Sequence, residues 1–331
     1  MGLSADIKAE YEIQELRRAL KTAQAGEHRA KRKNEEIVEA VYRAAYDAGI
    51  AVGRGKAPAK PPVKDKRKDK LEVALVHATD WQLGKKSISY GMATCANRMD
   101  QLTDKVISLT TIQRAHHPVK KLIVLFGGDM VEGITIFPGQ AWEIEAHLFE
   151  QLFEAARIME KMIREFAESF EEVQVVCEFG NHGRLGRKGE LPSGDNIDAM
   201  AYRIAKDRVT DLKNVTWQMS NDWYQIVVCG SYRALLVHGD EIKSSGGIVR
   251  KANAWATGVI EPFQDVYMGH WHTPMAVTMA NGGRVFVTGS PESHNEYARE
   301  FIGATGVPSQ RVHFIDPNKG RVTAEYVIWL D

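Results

Sequence analysis

Asp80, Asp129, Asn181, His238, His270 and His272 are spread over nearly two hundred residues, yet each stands where a run of other character gives way to a loop. The segments that carry them are Thr79-Asp80-Trp81-Gln82, Gly128-Asp129, Gly180-Asn181-His182, Val237-His238-Gly239-Asp240 and Gly269-His270-Trp271-His272. Carboxylate, amide and imidazole groups are the donors that hold divalent cations. His270 and His272 alternate, so both imidazoles fall on one face of an extended segment, a spacing that suits two adjacent metals. Singly, each piece has a plainer reading: Gly-Asp after a strand is commonly a turn, and a His at a strand end commonly hydrogen-bonds within the rim. The combination, in order, points to metal chemistry.

Such groups need strands to deliver them. Three of the five segments follow apolar runs, Val73 to Val76, Leu122 to Phe126 and Tyr232 to Val237. A buried strand that stops at a polar residue hands it to the rim of its sheet, where α/β folds build their sites. From Leu71 the pattern predicts strands over 71–77, 121–126, 173–178, 214–219, 223–229, 232–238, 265–268, 284–289 and 321–329. Helices are expected near 97–116, 142–170 and 196–207. That alternation implies an α/β sandwich.

The ordered blocks resemble the calcineurin-like metallophosphoesterases, whose pattern runs Asp-x-His, Gly-Asp-x-x-Asp/Glu, Gly-Asn-His-Asp/Glu, His and Gly-His-x-His. The resemblance covers about 71–331 and implies a four-layer α/β/β/α sandwich of two mixed sheets, with an N-terminal helical arm before it. It further implies two divalent ions. The first would be held by Asp80, Gln82, Asp129 and His272, the second by Asp129, Asn181, His238 and His270, with Asp129 bridging. His182 matches a non-ligand histidine that faces the substrate, and would donate a proton to the leaving oxygen or stabilise charge on the phosphoryl group. Two ions roughly 3.5–4 Å apart can share a water, lower its pKa and clamp phosphoryl oxygens during in-line attack. The chain departs from the pattern twice. Gln82 stands where the family usually has His, and its harder amide oxygen leans the first site towards Mn²⁺ or Mg²⁺ over Zn²⁺. Gly183 stands where many relatives carry an acid, so a carboxylate partner for His182 must come from elsewhere.

Composition bounds the rest. The chain has 331 residues, 44% hydrophobic and 26% charged, enough for one large core and an appendage. No stretch approaches the roughly 20 apolar residues of a membrane span, and the polar N-terminus lacks a signal-peptide pattern, so the expectation is a cytoplasmic protein without membrane partners. Cys95, Cys177 and Cys229 form no disulfide or zinc spacing, and the last two fall in strands where cysteine packs as a small apolar residue. Zero net charge hides an asymmetry: residues 1–70 hold 17 Lys+Arg against 11 Asp+Glu, or +6, leaving 26 against 32, or −6, for the remainder. Residues 1–55 read as a helical arm, with helices over 4–24 and 34–49, able to pair in a homo-oligomer or to touch nucleic acid. Residues 56–70 read as a basic Pro/Lys-rich linker, and 71–331 as the catalytic domain. The basic excess suits a polyanion or simply a solvated tether.

Arg184, Arg187 and Lys188 follow His182 directly and are candidates to hold substrate phosphates; an ordinary basic loop is the alternative. Trp81 and Tyr90 could stack a base or simply pack. The leading expectation is a Mn²⁺-dependent nuclease hydrolysing nucleic-acid phosphodiesters. The Asp-Trp-Gln-Leu-Gly and Gly-Asn-His-Gly-Arg blocks look like phosphoesterases encoded by phages, some similar to SbcD-type DNA repair exonucleases. The second expectation is a phosphoesterase acting on nucleotides or other small esters, and the third a binding module whose metal site has decayed at Gln82. No Arg follows Gly128-Asp129-Met130-Val131-Glu132-Gly133, which sets the chain apart from protein Ser/Thr phosphatases.

Overall fold

A computed structural model of the chain describes residues 14–26, scattered residues from 28 to 43, and residues 62–331 apart from 138, 187, 259–260 and 293–306. The chain divides into two compact units, Met1–Ala51 and Val52–Asp331. In the first, residues 14–26 form a helix, α1, with Leu16 and Leu20 one turn apart and exposed. Most of the second helix expected in the arm lies outside the described residues.

The second unit holds two sheets. The first runs β11-β10-β1-β2-β3-β4. Its parallel heart is β1 (Glu72–Ala78), β2 (Val119–Phe126), β3 (Glu172–Cys177) and β4 (Val215–Met219), flanked by the antiparallel pair β10 (Ser309–Asp316) and β11 (Arg321–Trp329). The second runs β5-β6-β7-β9-β8, with β6 (Tyr232–Val237), β7 (Asp265–Met268) and β9 (Arg284–Val287) parallel. Antiparallel edges β5 (Tyr224–Cys229) and β8 (Met275–Thr278) close it. Every residue of β1 is buried, as expected of a parallel strand covered on both faces.

Leu75, Ile123, Leu125 and Val176 of the first sheet interlock with Val227, Leu236, Tyr267 and Phe286 of the second, so the sheets pack face to face. Outside the first sheet lie α2 (Met92–Gln113), α3 (Leu148–Ser169) and α4 (Ile197–Arg208). The helix α3 buries Leu152, Ala155, Met159, Ile163 and Phe166 along one stripe, and Tyr202 of α4 stacks on Phe126 at 5.8 Å. Outside the second sheet, α5 (Ile248–Gly258) buries Ile248, Ala252 and Trp255 against Leu235, Val237 and Val266. The four-layer α/β/β/α sandwich of two mixed sheets is therefore the observed one.

Four details differ from expectation. The strands β8 and β10 and the helix α5 were not anticipated. In β10 the buried positions include Gln310, Arg311 and His313, which hide the apolar signature of a central strand. Helix α3 starts at Leu148 rather than near Trp142, because Gln140–Trp142 forms a separate short turn.

Candidate metal centre

All five segments sit just past the C-terminal ends of parallel strands: Asp80 after β1, Asp129 after β2, Asn181 and His182 after β3, His238 after β6, His270 and His272 after β7. The loops stay laddered beyond the strands. The Asp80, Gln82 and Leu83 amides donate to the carbonyls of Gly128, Asp129 and Met130 at 2.9–3.1 Å, and the Gly269 amide donates to the His238 carbonyl at 3.0 Å. Asp80, Gln82, Asp129, His270 and His272 all adopt left-handed backbone angles, with φ from +43° to +66°. Such angles cost non-glycine residues about 1–3 kcal/mol each and cluster where side chains must be aimed. Of the six non-glycine residues with positive φ among those described, only Lys70 lies elsewhere.

One group of metal-donor atoms is tight. Asp129, His238 and His270 each offer an atom within 4.8 Å of the others. The Nδ1 of His238 lies 2.9 Å from the Gly127 carbonyl, which can only accept, so that nitrogen carries a proton. Its Nε2 then faces Asp129 Oδ2 at 3.1 Å and the side-chain oxygen of Asn181 at 3.1 Å. In the neutral ring, three lone pairs meet with no donor among them, an arrangement that calls for a cation. Without one, burial disfavours the charged ring but Asp129 outweighs it and raises His238. Burial likewise pushes the Asp129 carboxyl up, yet His238 and His182 hold it well below the usual range. Burial and the nearby His238 lower His270 to about 4, leaving it neutral with a free lone pair.

Asp198, on the first turn of α4, fastens this group. Its carboxylate accepts from the amides of Asp129 (2.8 Å), Met130 (3.0 Å), Val131 (3.3 Å) and Gly180 (2.9 Å), joining the β2 and β3 loops. Burial and the charge of Asp129 raise Asp198 to about 6, which leaves it ionised at neutral pH. A Cβ at Gly180 would fall on Asp129, so only glycine lets the loops approach.

The Asp80 side is looser. The Asp80 carboxylate accepts from the His270 amide through both oxygens at 2.9 Å and from the Thr79 hydroxyl at 2.9 Å. His272 Nε2 lies 3.4 Å from Asp80 Oδ1, and its Nδ1 lies 3.7 Å from Glu292. Among the described residues, Asp80 and His272 belong to no group of three Asp, Glu, His or Cys whose donor atoms all lie within 4.8 Å of one another. Gln82 is 2% exposed and places its amide nitrogen 3.2 Å from His182 Nε2, while its oxygen accepts from Lys85 at 3.4 Å.

His182 donates through Nδ1 to the Glu132 carbonyl at 2.8 Å, with the Glu132 carboxylate 3.4 Å away. Burial works against its charge, but Asp129 and Glu132 prevail and raise it to about 9. Glu132 thus stands in for the carboxylate missing at Gly183. Arg184 donates to the Asn181 carbonyl at 3.0 Å and Lys188 pairs with Asp240 at 3.0 Å; Arg187 lies outside the described residues. Trp81 and Tyr90 are buried, the indole edge-on to Phe126 at 5.8 Å, and neither presents a face to a base.

Asp198, Glu132 and Glu292 escaped the sequence reading. Glu132 sits inside the Gly128–Gly133 block, and Asn196-Ile197-Asp198 carries a helix-start signature, the Asn196 side chain accepting from the Asp198 amide at 2.8 Å. Glu292 had no comparable signal.

No protein-family model matches the chain, and no curated protein matches it. Solved structures do. Vps29 from Entamoeba histolytica, determined with Zn²⁺, aligns at 10% identity over 78% of this chain and 99% of its own, with a TM-score of 0.34. A protein of Streptococcus pneumoniae described as a predicted phosphoesterase aligns at 13% identity over 78% and 98%, with a TM-score of 0.35. A 5'-nucleotidase from Candida albicans aligns at 10% identity over 82% of this chain and 54% of its own, with a TM-score of 0.35. Superpositions this loose carry no residue roles. No described helix is long and apolar enough to cross a membrane.

Proposed function

We propose that this chain is a metal-dependent phosphoester hydrolase that cuts nucleic-acid phosphodiesters. The observation that carries the metal reading is the meeting of Asp129, Asn181 and His238 acceptor atoms around a ring whose other nitrogen is already committed to Gly127. The donor set of carboxylate, amide and imidazole suits Mn²⁺ or a similar divalent ion. In this reading Asp129, Asn181, His238 and His270 hold one ion, and Asp80 and His272 hold a second with Asp129 and, through its amide oxygen, Gln82.

The ions, when bound, would supply Lewis acidity and a nucleophile at neutral pH. The chain's own residues do the rest. Asp198 keeps the Asp129 and Gly180 loops in register. Glu132 orients the His182 ring through Nδ1, and the protonated ring lends its Nε2 proton to the leaving oxygen, help worth ~10²–10⁴-fold. The +6 balance of residues 1–70 supports a polyanionic substrate, held by phosphate contacts that weaken with salt. A second reading, a hydrolase of free nucleotides, draws support from a cavity of about 280 Å³ beside Asn181, whose wall includes Trp223, Arg184 and Lys188.

The test is a Mn²⁺ assay of the wild type on labelled single- and double-stranded DNA and RNA alongside bis-p-nitrophenyl phosphate. Polynucleotide cleavage with a steep loss at high salt is expected. Turnover of the small diester alone moves the assignment to free nucleotides, and no turnover on any substrate refutes the hydrolase.

A further inference from the structure

Gln140 opens the short turn Gln140–Trp142 that precedes α3, and its side chain is fully buried against Glu132, the partner of His182. Both of its amide hydrogens are committed there. Its Nε2 donates to the Glu132 carbonyl at 2.8 Å and to Oε1 of the Glu132 carboxylate at 2.9 Å, while its oxygen accepts from the Ile136 amide at 2.8 Å. The same Nε2 lies 3.5 Å from His182 Nδ1, but both atoms are donors, so that approach is packing and not a bond. The consequence falls on Glu132. With Oε1 taken by Gln140, Oε2 has no hydrogen-bond partner among the described residues and stands 3.4 Å from His182 Nδ1. Gln140 therefore grips both groups of Glu132 that meet the ring, the carbonyl that accepts from Nδ1 and the carboxylate beside it.

The type of side chain matters. A Lys or Arg in this place would neutralise the carboxylate and weaken the charge that Glu132 directs at His182. An amide supplies two donors in a fixed plane and no charge. Nor does the turn depend on Gln140 for its place. The Lys86 amide donates to the Glu143 carbonyl at 3.1 Å and the Glu145 amide to that of Gly84 at 2.7 Å, lacing the turn to the loop after β1. Gln151 holds the Gly133 amide at 2.9 Å. We propose that Gln140 is a positioning residue for proton donation by His182: it sets the Glu132 carbonyl and carboxylate so that the ring presents Nε2 to the leaving oxygen. The inference rests on the phosphoesterase reading for the leaving oxygen, but the fixing of the ring stands without it.

The test compares diphenyl phosphate with bis-p-nitrophenyl phosphate, using Mn²⁺ and the full chain. Phenolate is a far stronger base than p-nitrophenolate, so its departure needs a proton donor and that of p-nitrophenolate does not. Gln140→Met keeps the volume and removes both donors. It is expected to lower kcat on diphenyl phosphate roughly tenfold or more, within the ~10²–10⁴-fold that a general acid supplies, with KM held. On bis-p-nitrophenyl phosphate the fall stays under roughly threefold. In a His182→Ala background the same change costs nothing further on either ester. Equal losses on the two esters overturn the proposal, as do an unchanged kcat on diphenyl phosphate and additive losses in the double variant. If Gln140→Met does not fold, the isosteric Gln140→Glu, which cannot donate when ionised, should give the same pattern. If neither folds, Gln140 serves the turn alone and the proposal falls. A wild type silent on both esters refutes the hydrolase reading. There, or where diphenyl phosphate alone resists, the positioning is judged by nuclear magnetic resonance of the metal-free chain labelled with ¹⁵N-histidine. The His182 Nδ1–H signal, identified by its loss in His182→Ala, should exchange with water roughly tenfold faster in Gln140→Met; an unchanged rate overturns the proposal.

Discussion

The two halves of the centre are built to different tolerances. Around Asp129, side-chain acceptors meet at 3.1 Å, the His238 ring is fixed by Gly127, and a single buried carboxylate, Asp198, accepts four backbone amides. Around Asp80, the carboxylate is held by the His270 amide and the Thr79 hydroxyl, His272 stands off at 3.4 Å, and Gln82 turns its amide nitrogen to His182. The difference teaches where affinity and where reactivity reside. A pre-shaped donor set binds its ion without reorganising, so the Asp129 half should fill first and hold tightest. The Asp80 half is tied through Gln82 to His182.

The largest effect expected is that of Asp129→Asn. On the proposed assignment it removes the charge that both halves share, so metal binding by calorimetry and turnover should both be lost, beyond the ~10–100-fold cost of disturbing an outer partner. Retained tight binding would break the comparison, because it would show that Asp129 is not the member common to the two. His182→Ala comes next. It should leave the metal content of the purified protein unchanged while turnover falls ~10²–10⁴-fold; loss of metal would mean that His182 belongs to the donor set.

Asp198→Asn sharpens the contrast from outside the donor set. An amide cannot accept from four N–H groups, and its own NH₂ would oppose two of them. Affinity of the tighter ion should drop ~10–100-fold, with stability lower by about 1–3 kcal/mol in denaturant titration. The counterpart Glu292→Gln, on the Asp80 side, should cost under roughly tenfold and act on the weaker ion. Equal losses would erase the difference between the halves.

Much of the frame was legible in the chain because parallel strands buried on both faces read as apolar runs. The rim segments follow, since a polar residue ending such a run has one place to go. Where the reading failed, the cause was local. Strand β10 hides behind Gln310, Arg311 and His313, inward polar residues served by partners such as Val287 and Tyr267, which no window of sequence can see. The role of Asp198 is equally invisible: a first-turn acid looks like a helix-dipole partner, and only the tertiary approach of two distant loops makes it their clasp. The partner of His182 was within the Gly128–Gly133 block, but β2 must turn sharply after Asp129 before Glu132 can reach back.

Gln82→His is the smallest change and the most diagnostic of the looser half. Histidine tolerates the left-handed backbone found there, φ +43°, better than most residues do. An imidazole is a softer and stronger donor to late transition ions than an amide oxygen. If position 82 looks onto the second ion, the weaker binding step should tighten by roughly tenfold, the low end of what one partner at a metal site is worth. The preference should also move from Mn²⁺ towards Zn²⁺. The same change removes the amide that lies 3.2 Å from His182, so turnover should fall even as binding improves. That opposition is the discriminating result, because a residue that only ligated would raise or hold both quantities together. An unchanged weaker step with the same fall in turnover would place Gln82 wholly in the service of His182, and the Asp80 half would then bind through Asp80, His272 and Asp129 alone.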